Sequence, residues 1–123
     1  MKFTLESGSN QNLIRTYGAD GIRIGEQVIR RSCVVTAETI ITDWPPATLD
    51  ELTVEHLQGL FALKPELVLL GTGTQLRFAP ALIRAEFAQR RVGLETMDLG
   101  AACRTFNILL QEERRVAAAL FLT

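Results

Sequence analysis

Glu66-Leu-Val-Leu-Leu-Gly-Thr-Gly-Thr74 is the stretch that decides the fold. An apolar run that ends in a glycine-rich turn is typical of a strand covered on both faces. Further along, Met97-Asp-Leu-Gly-Ala-Ala-Cys-Arg-Thr-Phe-Asn107 opens a helix rich in small residues. In open α/β sheets, ligands lie at the carboxyl ends of strands and the amino ends of the following helices, because free backbone N–H groups point there. The two segments therefore predict a candidate site at one sheet edge, without specifying a substrate.

Around these segments, the second half of the chain alternates between strand and helix patterns. Pro80 suits a first helical position, and Ile83 and Phe87 recur on one helix face. Asp98 is the expected N-cap of the next helix, whose apolar residues recur at spacings of three and four. The predicted order is a strand at Leu67–Leu70, the helix after Pro80, a strand at Val92–Thr96, the helix after Asp98 and a strand at Val116–Leu122.

The first half is rich in strand patterns. Leu13–Tyr17 and Ile22–Ile24 flank a turn at Gly18-Ala-Asp-Gly21. From Val28 through Ile41 the density of β-branched residues predicts two long strands, bent near Ala37-Glu38. Asp43-Trp-Pro-Pro46 then ends strand structure, because proline removes ladder donors. Thr53 is the expected N-cap of a short helix that Lys64-Pro65 stops.

Length and composition limit the possible classes of protein. A chain of 123 residues predicts one α/β domain over residues 1–123, with residues 1–10 as a disordered tail. The 13 basic and 14 acidic residues give a net charge of −1, which disfavours nucleic acid as a partner. Two cysteines suit a reducing compartment, and no stretch is long and apolar enough to span a membrane. We therefore predict a cytoplasmic protein without integral membrane contact.

The loop Gly71-Thr-Gly-Thr74 allows two interpretations. Gly71 and Gly73 would let backbone N–H groups approach a ligand, and Thr72 and Thr74 add hydroxyl donors. The loop nevertheless lacks the third glycine of a dinucleotide fingerprint and the Gly-Lys pair of a P-loop. It is either an ordinary strand-ending turn or a ligand-contacting loop. Arg77 favours the second interpretation if its side chain folds back over the glycines.

A polar stripe on the Asp98 helix is the second candidate site. Arg104, Asn107 and Gln111 share one side of that helix and would present a guanidinium and two amides in line. Such a row suits a carboxylate or the backbone of a partner. A solvated helix face is the equally open alternative.

Several other residues invite chemistry that the patterns disfavour. Cys103 shares a face with Leu99 and Phe106, so we expect a buried structural thiol. The single histidine, His56, has no ligand cluster around it, and we predict no metal, no cofactor and no catalytic residue. Glu95 and Asp98 could form an acid–base pair, but we favour a helix-capping role for Asp98. Arg114 or Arg115 could contact the glycine loop, but we favour a solvated turn at these residues. Trp44 could anchor a partner, but we favour a role in covering the core.

Four motifs resemble those of a known family: Leu69-Leu-Gly-Thr-Gly-Thr74, Glu95-Thr-Met-Asp98, Ala101-Ala-Cys-Arg-Thr-Phe-Asn107 and Glu113-Arg-Arg-Val-Ala-Ala-Ala-Leu120. The chain is similar to the domain family that includes mitochondrial respiratory complex I assembly factor 3, adipogenesis-associated Mth-like proteins and bacterial members of unknown function. The resemblance implies a three-layer α/β fold with a mixed central sheet and no established catalysis. Phe106 stands where the family commonly has tyrosine.

The leading hypothesis is a non-enzymatic, partner-binding or assembly-factor-like bacterial protein. Its recognition edge would consist of Gly71, Thr72, Gly73, Thr74, Arg77, Arg104, Asn107 and Gln111. The alternative is a small-molecule site, with or without catalysis, that holds an anionic ligand at the same edge. Self-association through an edge strand, as in a dimer, is a third possibility.

Overall fold

A computed structural model of the protein describes residues 11–123. Its central sheet has five strands, β4 (Cys33–Val35), β5 (Ile40–Ile41), β6 (Leu67–Thr72), β7 (Gly93–Met97) and β8 (Val116–Phe121). Their order across the sheet is β5-β4-β8-β6-β7. The strand β6 runs parallel to both β7 and β8, whereas β4 pairs antiparallel with β8 and β5, so the sheet is mixed.

A second, smaller sheet is an antiparallel meander of three strands, β1 (Ile14–Gly18), β2 (Gly21–Ile24) and β3 (Gln27–Ile29). In β2, Ile22 and Ile24 are buried and Arg23 between them is exposed. That alternation follows from the period of two in a strand with one covered face. The small sheet therefore has one apolar face, which needs a packing partner.

The helices lie on both faces of the central sheet. On one face, α3 (Leu99–Gln111) packs together with the three-stranded sheet. On the other face lie α1 (Leu57–Phe61), α2 (Ala81–Arg90) and the short 3₁₀ helices Leu49–Glu51 and Val54–His56. The result is a three-layer α/β fold with a mixed central sheet, as the sequence patterns and the resemblance predicted.

Alternation along β8 divides the core into two clusters. Ala118 and Leu120 pack against α3, whereas Ala117, Ala119 and Phe121 belong to the cluster on the α2 side. All six residues of β8 are buried, which is why the strand reads as a continuous apolar run. Trp44 covers the second cluster: its ring centroid lies 5.4 Å from that of Phe121, and its indole N–H donates to the His56 carbonyl at 3.3 Å. The favoured reading of Trp44 as core coverage is confirmed.

Two local predictions need correction. The segment from Val28 to Ile41 forms three short strands instead of two long ones, and β3 belongs to the small sheet. The chain leaves one sheet for the other at residues 30–32, where the buried Ser32 hydroxyl donates to the Pro46 carbonyl at 2.5 Å. Pro80 is the residue before α2, with an extended backbone, instead of its first helical residue. The tail predicted for residues 1–10 lies outside the described residues, and the single domain over residues 1–123 stays a prediction.

Candidate functional site

The predicted glycine loop is partly strand. Gly71 and Thr72 are the last residues of β6, and the chain turns at Gly73, where φ is +90°. Gly71 lies where α3 crosses the sheet closely, since a Cβ there would stand 3.1 Å from the Ala102 Cβ. The first glycine thus serves helix–sheet packing, and the second serves the turn.

The Thr72 hydroxyl is committed inside the protein. It is buried, and it donates to the Gln75 carbonyl at 2.7 Å, with the Met97 carbonyl a second acceptor at 3.3 Å. It also accepts from the backbone N–H of Arg77 at 3.0 Å. One hydroxyl offers one proton and two lone pairs, so these contacts leave little capacity for a ligand. Thr74, by contrast, is exposed.

The turn after β6 is joined to the amino end of α3. The Leu99 N–H donates to the Gly73 carbonyl at 2.8 Å, and the Ala101 N–H donates to Asp98 Oδ1 at 2.8 Å. Asp98 therefore caps α3 as predicted, and its carboxylate occupies the position in which an anion would meet the helix. The backbone donors of Leu99 and Ala101 are both used within the protein.

Arg77 points away from the glycines. Its Nη2 lies 2.5 Å from Asp50 Oδ1, in the 3₁₀ helix Leu49–Glu51 on the α2 side of the central sheet. Both side chains are largely exposed. The condition that favoured a ligand-contacting loop, an Arg77 side chain folded over Gly71 and Gly73, is not met. A carboxylate attracts the guanidinium more strongly than backbone carbonyls do.

Arg104 lies over the first turn of α3. Its Nη1 donates to the Tyr17 hydroxyl at 2.6 Å, and its Cζ stands 5.9 Å from the centroid of that ring. A Cβ on Gly100 would lie 2.9 Å from Tyr17 Cε1 and 3.1 Å from Arg104 Nη1. The glycine therefore leaves the space in which strand β1 and the guanidinium meet the helix.

Asn107 joins α3 to β1. Its Oδ1 accepts from the Ile14 N–H at 2.8 Å, and its Nδ2 donates to the Ile14 carbonyl at 2.9 Å. The amide thus satisfies both backbone groups of one residue at the start of the small sheet. Gln111 is exposed at the last residue of α3. The predicted stripe is therefore divided, because β1 covers Asn107 at its middle, whereas Arg104 and Gln111 at its two ends are exposed.

The structure brings together some of the predicted residues and separates others. Gly71–Thr74 and Arg104 lie at the same end of α3, connected through Leu99 and Gly100. Arg77 is directed to the opposite face of the central sheet. Asn107 and Gln111 follow α3 away from the turn.

The thiols are buried and poorly ionised. Burial raises the pKa of Cys103 to about 12, with a further rise from nearby Cys33 that outweighs the lowering by Arg104. Burial alone raises the pKa of Cys33 to about 12. A thiol with such a pKa is no nucleophile at neutral pH. This agrees with the structural role predicted for Cys103.

Arg114 and Arg115 lie at the other end of the sheet from the glycines. Leu67 pairs with Val116 and Gly71 pairs with Leu120, so the residues before β8 stand beside the amino end of β6. There Arg114 Nε donates to Glu66 Oε2 at 3.2 Å, and a cavity of about 250 Å³ opens between Arg115, Glu38 and Leu63. Contact of Arg114 or Arg115 with the glycine loop is therefore excluded by the strand register.

Two features of this region were missed by the sequence reasoning. Tyr17 is the partner of Arg104, and no local pattern connects residues so far apart in the chain. Leu76 and Phe78 are 53% and 74% exposed in the segment after the turn, and Leu82 at the start of α2 is 75% exposed. Large apolar residues beside a glycine turn, in a segment without strand or helix period, were the available signal for that surface.

None of the helices in residues 11–123 is long and apolar enough to cross a membrane. Some relatives nevertheless carry membrane names. A protein of Francisella tularensis called 13 kDa major membrane protein is 29% identical over 72 residues, which are 58% of each chain. A solved structure described as an outer membrane protein from Bartonella henselae is 32% identical, with a TM-score of 0.79, over 93% of this chain and 97% of that one.

Other relatives are named as assembly factors. NADH dehydrogenase (ubiquinone) 1 alpha subcomplex assembly factor 3 of Danio rerio is 31% identical, over 94% of this chain and 67% of that protein. The chain spans only 59% and 58% of the proteins of the same name from Xenopus tropicalis and Mus musculus.

The fold is shared with solved bacterial proteins. A crystal structure from Bordetella parapertussis has a TM-score of 0.84 at 31% identity, over 92% of this chain and 97% of that one. A Bordetella pertussis protein described as a Mth938-like domain has a TM-score of 0.77 at 25% identity, over 93% and 86%. The model of the family described as "Protein of unknown function (DUF498/DUF598)" matches residues 14–121, and the chain belongs to that family.

Proposed function

We propose that this protein is a non-enzymatic module that binds a protein partner, as an assembly factor does. The names of its relatives support the proposal, because they describe proteins that serve the assembly of another protein complex. The single observation that carries it is the exposed apolar segment after the Gly73 turn, where Leu76, Phe78 and Leu82 stand more than half in solvent. We call these three residues the apolar segment.

The apolar segment has the character of a binding surface. Three large apolar side chains within seven positions are more than the scattered exposure of an ordinary surface. Covering one of them with a partner contributes about 2 kcal/mol. The Arg77–Asp50 pair lies beside the segment and would supply a polar rim that selects the partner.

The predicted site residues have different parts in this proposal. Gly71, Thr72 and Gly73 hold the turn rigid, and Thr74 and Arg77 contact the partner directly. Arg104 with Tyr17, and Gln111 beyond them, form a second contact edge on the other side of the turn, and Asn107 holds β1 in place between them.

The alternative, a small anionic ligand at this edge, has weaker support. The donors that would hold an anion are the N–H groups of Leu99 and Ala101 and the Thr72 hydroxyl, and all three have protein acceptors. Replacing such bonds with bonds to a ligand gains little.

We also propose that the protein works in the cytoplasm, although relatives carry membrane names. Both cysteines are free and buried, which is ordinary in a reducing compartment. The experiment on the partner therefore uses cytoplasmic and membrane fractions of the source cell separately.

Affinity capture with the tagged full chain tests the function. We expect the wild type to retain a specific protein from the cytoplasmic fraction, identified by mass spectrometry. Phe78→Ser should lower the retained amount by about tenfold, because the buried aromatic contact is lost. Val28→Ser is the matched control, since Val28 is 46% exposed on β3 and lies outside the proposed surface. Arg104→Ala should weaken capture less than Phe78→Ser does.

Four results would contradict the proposal or parts of it. Retention of nothing specific would refute the binding function, and equal loss with Phe78→Ser and Val28→Ser would refute the apolar segment as the binding surface. Capture from the membrane fraction alone would refute the cytoplasmic location. A rise in melting temperature with one compound from a panel of nucleotides, phosphates and carboxylates would favour the ligand alternative.

A further inference from the structure

The strand β7 is an unpaired edge of the central sheet. It pairs with β6 on one side, and no strand of the described residues pairs with it on the other. The Gly93 N–H donates to the Glu66 carbonyl at 3.0 Å, so Gly93, Glu95 and Met97 direct their backbone groups to β6. The N–H and C=O groups of Leu94 and Thr96 therefore point outward.

A groove runs beside these outward-pointing groups. It has a volume of about 280 Å³ and lies between α2 and β7. The side chains of Leu94 and Thr96 face it, because their pairing partners Val68 and Leu70 belong to the core cluster on the α2 side. Its other lining residues are Arg84, Phe87, Ala88 and Val92. An apolar side chain of an added strand would enter this groove.

The wall of the groove is positively charged. The segment from Ala81 to Arg91 contains three arginines and one acidic residue, Glu86, which already pairs with Arg90 at 3.4 Å. Arg84 lines the groove, and its Nε donates to the Ala79 carbonyl at 3.2 Å, which fixes the guanidinium at the wall. Arg91 follows at the end of α2 and is exposed.

We propose that the β7 edge binds an extended peptide segment of another protein as an additional strand. Its backbone would bond to the outward groups of Leu94 and Thr96, and every second side chain would face α2, with an apolar one entering the groove. Acidic residues two positions to either side of that apolar residue would lie on the same face and meet Arg84 and Arg91. The inference goes beyond the proposed function, since it requires neither Leu76 nor Phe78.

A second copy of this chain is a poor occupant for the same edge. Antiparallel pairing of β7 with itself through Leu94 and Thr96 would place Glu95 directly opposite Glu95 of the copy. Like charges in that position are destabilising. The same arrangement would bring the arginine-rich α2 helices of the two copies together. Charge complementarity thus selects a peptide that carries its acidic residues on the groove face, opposite the arginines and away from Glu95.

Selection from a phage-displayed library of short random peptides on the full-length protein tests the inference. We expect enriched sequences in which an apolar residue has Asp or Glu two positions away on one or both sides. The enriched peptide, made synthetically and labelled with fluorescein, is then titrated by anisotropy against variants of the protein. Ala88→Glu should weaken binding by about tenfold or more, because it places a negative charge in the groove. Gln89→Glu makes the same change in charge at an exposed position outside the groove and should bind as the wild type does.

A second variant tests the backbone contact. Thr96→Pro removes an outward N–H and no bond of the β6 ladder, so the edge should fold yet lose the peptide. Circular dichroism checks the fold, and hydrogen exchange should show slower exchange of the Leu94 and Thr96 amides when the peptide is bound.

Four results would overturn the inference. They are the absence of enrichment, enrichment of basic peptides, binding that neither variant weakens, and a dimer of the free protein in sedimentation that Thr96→Pro abolishes.

Discussion

The two ends of β6 are held in opposite ways. At the carboxyl end, Thr72 is buried and uses its hydroxyl on backbone groups, and the Gly73 carbonyl accepts from Leu99. At the amino end, Glu66 is exposed and accepts from the Arg115 N–H at 3.0 Å and from Arg114 Nε at 3.2 Å. The first end relies on neutral groups at close range, and the second on charges in solvent.

This difference predicts different sensitivities. Buried neutral hydrogen bonds are costly to leave unmade, and tight backbone contacts tolerate no added atom. Exposed ion pairs contribute little and respond to salt and pH. The carboxyl end should therefore fail when its shape or polarity changes, and the amino end when its charge changes. The turn at Gly73 therefore serves the fold by joining β6 to the amino end of α3. The surface proposed for binding lies just beyond this turn.

Gly73→Ala should give the largest effect. The residue has φ +90°, and a Cβ would stand 2.6 Å from the backbone carbonyl carbon of Thr123. Strained backbone and the clash together should lower the free energy of unfolding by roughly 3 kcal/mol. Urea denaturation measures it. Gly59→Ala in α1 is the control, because a Cβ there meets nothing within 4 Å, and it should leave stability unchanged or higher. Equal midpoints for the two variants would contradict the comparison.

Thr72→Val should have the next largest effect. Valine keeps the shape and the β-branch, but it leaves the Gln75 carbonyl and the Arg77 N–H without their partner. The expected loss of stability is about 2 kcal/mol, measured by urea denaturation. Thr74→Val, at the exposed neighbouring position, should change stability by less than about 0.5 kcal/mol. A loss as large at Thr74 would show that the hydroxyl bonds of Thr72 are not the cause.

Much of the carboxyl end could be predicted because its signals are local. The apolar runs of β6 and β8 mark buried central strands wherever the chain folds, since both faces must be covered. Asp98 caps α3 through an amide only three positions away. Such features need no knowledge of distant residues.

What the sequence did not reveal depends on contacts between distant positions. Arg104 meets Tyr17, and Asn107 meets Ile14, across separations of 87 and 93 positions. Helical spacing shows that these polar residues share a side of α3, but it cannot show that β1 covers that side. In the same way, the β-branched content from Val28 to Ile41 predicts strands without indicating that β3 joins a different sheet from β4.

Glu66→Gln tests the amino end, with the smallest expected effect. The Arg115 N–H, more than the Arg114 guanidinium, holds the pKa of the Glu66 carboxyl below its ordinary value. A pKa lowered by folding gives stability that is present above the ordinary pKa and is lost as pH falls through the lowered one. The variant should therefore be less stable than the wild type at neutral pH and equal to it in acid, and salt should reduce the difference at neutral pH.

Urea denaturation midpoints, determined across the pH range, measure this difference in stability. Glu26→Gln makes the same change in charge at an exposed position in the turn before β3. Its difference in stability from the wild type should vary less with pH than that of Glu66→Gln. If the deficit of Glu66→Gln persisted in acid, the carboxyl end and the amino end of β6 would not differ in the way the contacts imply.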